Sequence, residues 1–263
     1  MSEPQTLVVN EIYLSLQGES TFAGLPCVFV RLTGCNLRCS YCDTAYAFRE
    51  GKPMAFETIL AEIDRLATPY SQIPPIPAGK SSGIDPVGSA PVGHRLPIVE
   101  FTGGEPLLQA RSADLMRQLC DRGYTVLVET SGAHDISILD PRVRRIVDLK
   151  APSSGETHRN RLANLEHLRP TDELKLVLGS REDYEWAKQM LREHKLETRC
   201  PVLFSWVAPL QAHQKDPSLK TIPLPFTSIS RQELVEAIVA DALPVRFQLQ
   251  MHKFIWSPDL RGV

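Results

Sequence analysis

Short apolar stretches of strand type alternate along this chain with stretches of helical periodicity, and few architectures accept that order. The strand-type stretches are "EIYLSL", "CVFVRL", "PIVEFT", "YTVLVET", "RRIVDL", "ELKLVL", "PVLFSWV" and "VRFQLQM". Between them, "FETILAEIDRLA" places Phe56, Ile59, Leu60, Ile63 and Leu66 on one helical stripe. "SADLMRQLCDRG" offers Ser112 as an N-cap and Gly123 as a helix stop, and "REDYEWAKQMLREH" and "RQELVEAIVADA" read as further helices. Strands alternating with helices imply parallel βαβ units. No GxGxxG follows the first strand, so a partial, TIM-like β/α barrel fits better than a dinucleotide-binding sheet. The expected fold class is therefore α/β, as one domain over residues 1–263.

One segment breaks the pattern. Residues 68–97 hold seven prolines and four glycines, which preclude regular structure over most of that length. The segment reads as a mobile surface insertion.

Composition excludes several functions. A formal charge of −2 leaves no electrostatic footprint for nucleic acid or an anionic membrane. The basic run Arg142, Arg144, Arg145 reads as a solvated face. No apolar run approaches the ~20 residues of a membrane span, and the N-terminus lacks the pattern of a signal peptide. A cytoplasmic protein is expected, with reduced thiols, so clustered cysteines point to metal or catalysis. Cys27, Cys120 and Cys200 are scattered among apolar residues and read as small core residues.

The cluster is "GCNLRCSYCDT", with Cys35, Cys39 and Cys42 inside eight residues. Thiolates suit iron–sulfur clusters and zinc. Three of them leave one iron of a 4Fe–4S cluster open to a small ligand; a zinc site would need a fourth ligand from elsewhere. Further on, "PIVEFTGGEPLL" reads as a strand ending at Thr102, followed by Gly103, Gly104, Glu105 and Pro106. Paired glycines there permit close backbone approach to a ligand or form a tight strand-to-helix turn. In "CVFVRLT", alternation puts Phe29, Arg31 and Thr33 on one face. Arg31 there either clamps a carboxylate ligand or pairs with a nearby acidic residue. Gln17 and Glu19 follow the first strand and could read a donor–acceptor edge or lie in a solvated loop.

CxxxCxxC, with Tyr41 just before the last cysteine, resembles the signature of the radical S-adenosylmethionine (SAM) superfamily. "YLSLQGES", "FVRLTGCNLRCSYCDT", "TGGEPLLQ", "VLVETSG", "DLKAPSSGE", "DELKLVLGSREDYEWAK" and "VRFQLQMHKFIW" are similar to the 7-carboxy-7-deazaguanine synthase family. The likeness covers nearly all of the chain outside the insertion. It implies a ring-contracting lyase that converts 6-carboxy-5,6,7,8-tetrahydropterin to 7-carboxy-7-deazaguanine with release of ammonia, on the route to queuosine. It implies a 4Fe–4S cluster on Cys35, Cys39 and Cys42, SAM, Mg²⁺ at Thr44, a flavodoxin-like electron donor and a homodimer.

By the same likeness, Leu16, Gln17, Gly18, Glu19, Arg31, Thr102 and His252 contact substrate. Tyr41, Cys42, Asp43, Gly104, Glu105, Ser131, Asp148 and Lys150 surround SAM. Many members read Ser-Pro-Lys where this chain has Asp148-Leu149-Lys150; an aspartate there could bond ribose hydroxyls. The late-strand glutamine of some members is not evident in "VLFSWVAP", where Ser205 stands in that neighbourhood. Outside the likeness, Thr44 would be a turn or cap residue and His252 a structural residue in an amphipathic strand. Two other readings remain: an activator of glycyl-radical enzymes, which would need an open face for a protein substrate, and a non-catalytic iron–sulfur or zinc module.

Overall fold

The structure, a computed structural model, describes residues 5–75, 94–223, 225–257 and 260–263. Nine strands form one mixed sheet in the order β3-β1-β2-β4-β5-β6-β7-β8-β9. β1 (Thr6–Leu16) runs antiparallel to both β2 (Pro26–Leu32) and β3 (Lys52–Ala55). From β2 onward every pairing is parallel: β4 (Ile98–Gly103), β5 (Val126–Thr130), β6 (Arg144–Asp148), β7 (Glu173–Leu178), β8 (Val202–Trp206) and β9 (Arg246–Gln248). The ends of the sheet, β3 and β9, do not pair, so the barrel stays open. β3 was not expected from the sequence. Its "KPMA" carries little strand signal and is held by pairing with the long β1.

The expected helices form. α1 (Phe56–Ala67) buries Phe56, Ile59, Leu60 and Ile63, and α2 (Ser112–Asp121) buries Leu115, Met116 and Leu119. Ser112 is not an N-cap: it is the first helical residue, and its hydroxyl donates to Pro106 O at 2.9 Å. Gly123 takes a left-handed φ of +79° just past the helix end, as a stop residue should. α3 (Arg181–His194) starts on Ser180, whose hydroxyl accepts from Asp183 N. α4 (Arg231–Ala240) starts on a Ser230/Glu233 capping box. α5 (His252–Ile255) is a single turn, so His252 lies on a helix rather than in the strand expected for it.

Strand alternation divides the side chains between two layers. Val28, Val30, Leu32, Val99, Phe101, Val126, Val128, Val147, Leu174, Leu176, Val202 and Phe204 join the helices in the main apolar core. On the opposite face, Cys27, Phe29, Ile98, Leu127 and Ile146 close with Phe22 into a smaller apolar plug. One step further along the strands, Arg31, Glu100, Thr102, Glu129, Asp148 and Lys175 all line a single cleft. Five strands can share one cleft only because the sheet curves.

The run Arg142–Arg145 is not a solvated face throughout. Arg142 is half-exposed, but Arg145 is only 4% exposed and its Nε donates to Asp172 Oδ2 at 2.9 Å. A buried guanidinium needs such a partner. Cys27, Cys120 and Cys200 are buried thiols of the core. Thr68–Tyr70 form a short 3-10 turn at the start of the expected insertion, most of which, residues 76–93, lies outside the described residues.

Candidate active site

The cleft, of about 910 Å³, opens at the C-terminal ends of the parallel strands. That is where barrel-type enzymes place their chemistry. Its lining includes Leu16, Gln17, Gly18, Glu19, Arg31, Cys35, Cys39, Tyr41, Cys42, Asp43, Thr44, Thr102, Gly104, Ser131, Asp148, Lys150 and His252. Of the residues expected at the site, only Glu105 is turned away into the protein.

The cysteine loop is pinned along its length. Gly34 N donates to Ala47 O at 2.8 Å, and Gly34 O accepts from Glu105 N at 2.8 Å. Arg38 N donates to Glu156 Oε1 at 2.7 Å, and Ser40 Oγ to Ser153 O at 2.6 Å. The glycine pair serves this packing: a Cβ on Gly104 would stand 2.1 Å from Gly34 O and 3.0 Å from Cys35 Cβ. Gly103 has φ +148° and would strike Leu32 O. The close approach that the two glycines permit is thus to the cysteine loop itself.

Burial pushes the thiols of Cys39 and Cys42 up to about 11 and about 12, and that of Cys35 upward. They are neutral thiols until a metal's charge drives their protons off. Among the described residues, no three His, Cys, Asp or Glu side chains gather as around a single metal ion. A zinc site needs that gathering; a cubane does not, because each thiolate binds a different iron. The donor set therefore fits a 4Fe–4S cluster.

Glu105 is fully buried and saturated by protein donors: Leu107 N, Thr130 Oγ1, Ser131 N and Ser131 Oγ, at 2.5 to 2.9 Å. It is a strut that fixes Ser131 at the end of β5. Lys150 is partly buried and paired with Asp148 Oδ2 at 2.8 Å; desolvation opposes its charge, but Asp148 holds its pKa well above the usual value. Asp148 Oδ1 and the Tyr41 hydroxyl, both buried atoms, have no partner among the described residues. Unsatisfied polar atoms at a cleft wall suit ligand hydroxyls or amines.

Arg31 on β2 also lines the cleft and faces Glu11, its register partner on β1. Its Nε donates to Glu11 Oε1 at 2.7 Å and its Nη2 to the Tyr13 hydroxyl at 2.9 Å. Tyr46 OH donates to the same Glu11 oxygen at 3.0 Å. Gln17 is buried, accepts from Glu19 N at 3.0 Å and donates to Glu100. Gly18 packs on His252, leaving no room for a Cβ, and Gly18 O accepts from Met251 N at 2.9 Å. Burial lowers the pKa of His252, so its imidazole is neutral. Thr44 Oγ1 donates to Asp43 Oδ1 at 2.8 Å; although burial opposes it, the Lys253 ammonium holds Asp43 well below the usual carboxylate range.

Sequence reasoning missed the innermost layer. Glu100 (β4), Glu129 (β5) and Lys175 (β7) line the cleft, Glu100 bonded to Gln17 and Lys175 to Glu19. Lys175 Nζ donates to Glu19 Oε2 at 3.0 Å and to Glu129. Burial, with the charge of Glu129 beside it, pushes the Glu100 carboxyl well above the usual range. Glu100 and Glu129 are the lone ionisable residues of their strands and Lys175 shares β7 with Glu173, but nothing in the sequence alone brings the three together. Ser205 is buried opposite Gln248 on β9, and the polar side-chain atoms of both lack partners among the described residues. Ser205 itself is not part of the cleft wall.

An open, mostly parallel sheet with this loop and cleft at the C-terminal ends of its parallel strands defines a radical SAM enzyme. No family model matches the chain. It is 41% identical to a 7-carboxy-7-deazaguanine synthase of Koribacter versatilis, over 97% of this chain and 99% of that one. It is 38% identical to one of Chlorobaculum tepidum over the full length of both. The chain belongs to the 7-carboxy-7-deazaguanine synthase family. Its fold is shared with the crystal structure of QueE from Escherichia coli, with a TM-score of 0.63 at 20% identity over 94% of this chain and 95% of that one. SuiB of Streptococcus suis, crystallised with the precursor peptide SuiA, shares the fold at a TM-score of 0.53, 13% identity, 85% of this chain and 48% of that one.

Proposed function

We infer that the chain carries out the ring contraction of its family, converting 6-carboxy-5,6,7,8-tetrahydropterin to 7-carboxy-7-deazaguanine with loss of ammonia. Family membership sets aside the glycyl-radical activator and the non-catalytic metal module. The observation that carries the reading is one cleft lined both by the three cysteines and by Arg31, Gln17 and Glu19.

Cys35, Cys39 and Cys42 hold the cluster, and Tyr41, Asp43, Gly104, Ser131, Asp148 and Lys150 line the side where SAM binds. When bound, cluster and SAM supply a 5′-deoxyadenosyl radical, given an electron from a flavodoxin-like donor. Glu105 acts indirectly, by positioning Ser131. Asp148 Oδ1, which lacks a partner among the described residues, would accept from the ribose hydroxyls. Arg31, with two donors already committed to Glu11 and Tyr13, turns the rest of its guanidinium to the substrate carboxylate. Thr44 would offer its hydroxyl oxygen to Mg²⁺, which would supply charge to hold the substrate carboxylate. Leu16, Gln17, Gly18, Glu19, Thr102 and His252 bound the pterin. The enzyme works in the cytoplasm as a homodimer.

Anaerobic incubation of reconstituted protein with SAM, Mg²⁺, a reductant and 6-carboxytetrahydropterin tests this. The expected result is 7-carboxy-7-deazaguanine and ammonia in equal amounts; cluster-loaded protein that binds SAM but leaves the pterin unchanged would refute it.

A further inference from the structure

Four ionisable side chains meet at the floor of the cleft, from the β1–β2 loop (Glu19), β4 (Glu100), β5 (Glu129) and β7 (Lys175). Lys175 is 3% exposed. It bridges Glu19, at 3.0 Å, and Glu129, reaching the latter across the intervening β6. Three carboxylates surround one lysine, with Arg31 already committed to Glu11. Buried charge of this kind is costly and is weak support for a fold. An apolar plug that includes Phe29, Ile98, Leu127 and Ile146 packs β2, β4, β5 and β6 together without it.

The chemistry proposed above leaves a gap that this cluster fills. Losing ammonia from a saturated ring while forming an aromatic one requires a base at carbon and an acid at nitrogen. We propose that Glu129 and Lys175 are that base and acid, with Glu19 holding the lysine between its two carboxylates. The proposal rests on the ring-contracting function.

The transfers balance without any further reactant. Glu129 removes a proton from the ring carbon, and the C–H electron pair becomes the new double bond. The C–N pair leaves with nitrogen, which takes a proton from the Lys175 ammonium and departs as ammonia. Protonated Glu129 then returns its proton to Lys175 across their hydrogen bond, restoring both groups. Burial pushes the Glu129 carboxyl up, which suits a base, and the neighbouring carboxylates keep Lys175 charged between turnovers. Glu100, Asp148 and Arg31 shape the same field.

The test separates hydrogen abstraction from ammonia loss in the reconstituted enzyme, using substrate deuterated at C6. Three variants are compared with wild type: Lys175→Met, Lys175→Arg and the nearly isosteric Glu129→Gln, each checked for folding by circular dichroism. Deuterium transfer to the 5′ carbon should stay within about threefold of wild type, while ammonia and product fall about 100-fold or more. Lys175→Arg, which keeps the charge but does not release a proton, should fail like Lys175→Met. Ammonia release that keeps pace with deuterium transfer in Glu129→Gln or Lys175→Arg would overturn the proposal. So would an equal fall in both, which indicates binding alone. Wild-type enzyme that transfers no deuterium would instead defeat the ring-contracting function itself.

Discussion

On β4, Val99 and Phe101 face the helices, whereas Glu100 and Thr102, each one residue away, face the cleft. β6 and β7 repeat the division, with Val147, Leu174 and Leu176 on the helix side and Asp148 and Lys175 on the cleft side. The same backbone thus presents a surface built for packing and a surface built against it. Apolar burial on one side supplies the stability that buried charge on the other consumes. Activity and stability should therefore separate by face.

The largest separation is expected at the rim. Cys39→Ala should lower product formation by more than about 10³-fold, or about 4 kcal/mol of barrier, with the melting temperature little changed. Phe101→Ala, on the helix side, should do the reverse. It should cost about 3–5 kcal/mol of stability in urea titration, with kcat/KM per folded molecule near wild type. A large loss of kcat/KM there would mean that the two faces are mechanically coupled.

A third test uses pH. Glu100, whose folded pKa lies well above its ordinary 4.5, binds its proton more tightly when folded. Its stabilising protonation is complete below pH 4.5 and is lost as pH rises through the folded pKa. Glu100→Gln should therefore gain stability over wild type progressively above pH 4.5, as measured by denaturant midpoints, whatever Glu129, Glu19, Lys175 and Arg31 contribute to both proteins. A constant difference across pH would show that Glu100 is not buried as described. The smallest effect is expected at Ser180→Ala, which removes the α3 cap and costs about 1 kcal/mol without altering KM.

The helix side was legible in the sequence because period and burial agree. The stripe Phe56, Ile59, Leu60, Ile63 and the stop at Gly123 appear as expected. The cysteine loop was legible because thiol spacing is a chemical signal that needs no fold. β3 was not, since only its pairing with β1 makes "KPMA" a strand. His252 was placed on a strand because "VRFQLQM" alternates past the point where β9 ends, at Gln248. Arg145 looked solvated because its partner, Asp172, lies 27 residues away. Glu100, Glu129 and Lys175 were hidden by their setting: each sits in an apolar strand, and only the curvature of the sheet brings them together.

The most direct measurement is calorimetric titration of 6-carboxytetrahydropterin into anaerobic, SAM-loaded protein and its Arg31→Met variant. If the charged face is the substrate site, losing the guanidinium should weaken binding by about 1.5–3 kcal/mol, or about ten- to 150-fold. Equal affinity in the two proteins would contradict the assignment of that face to substrate.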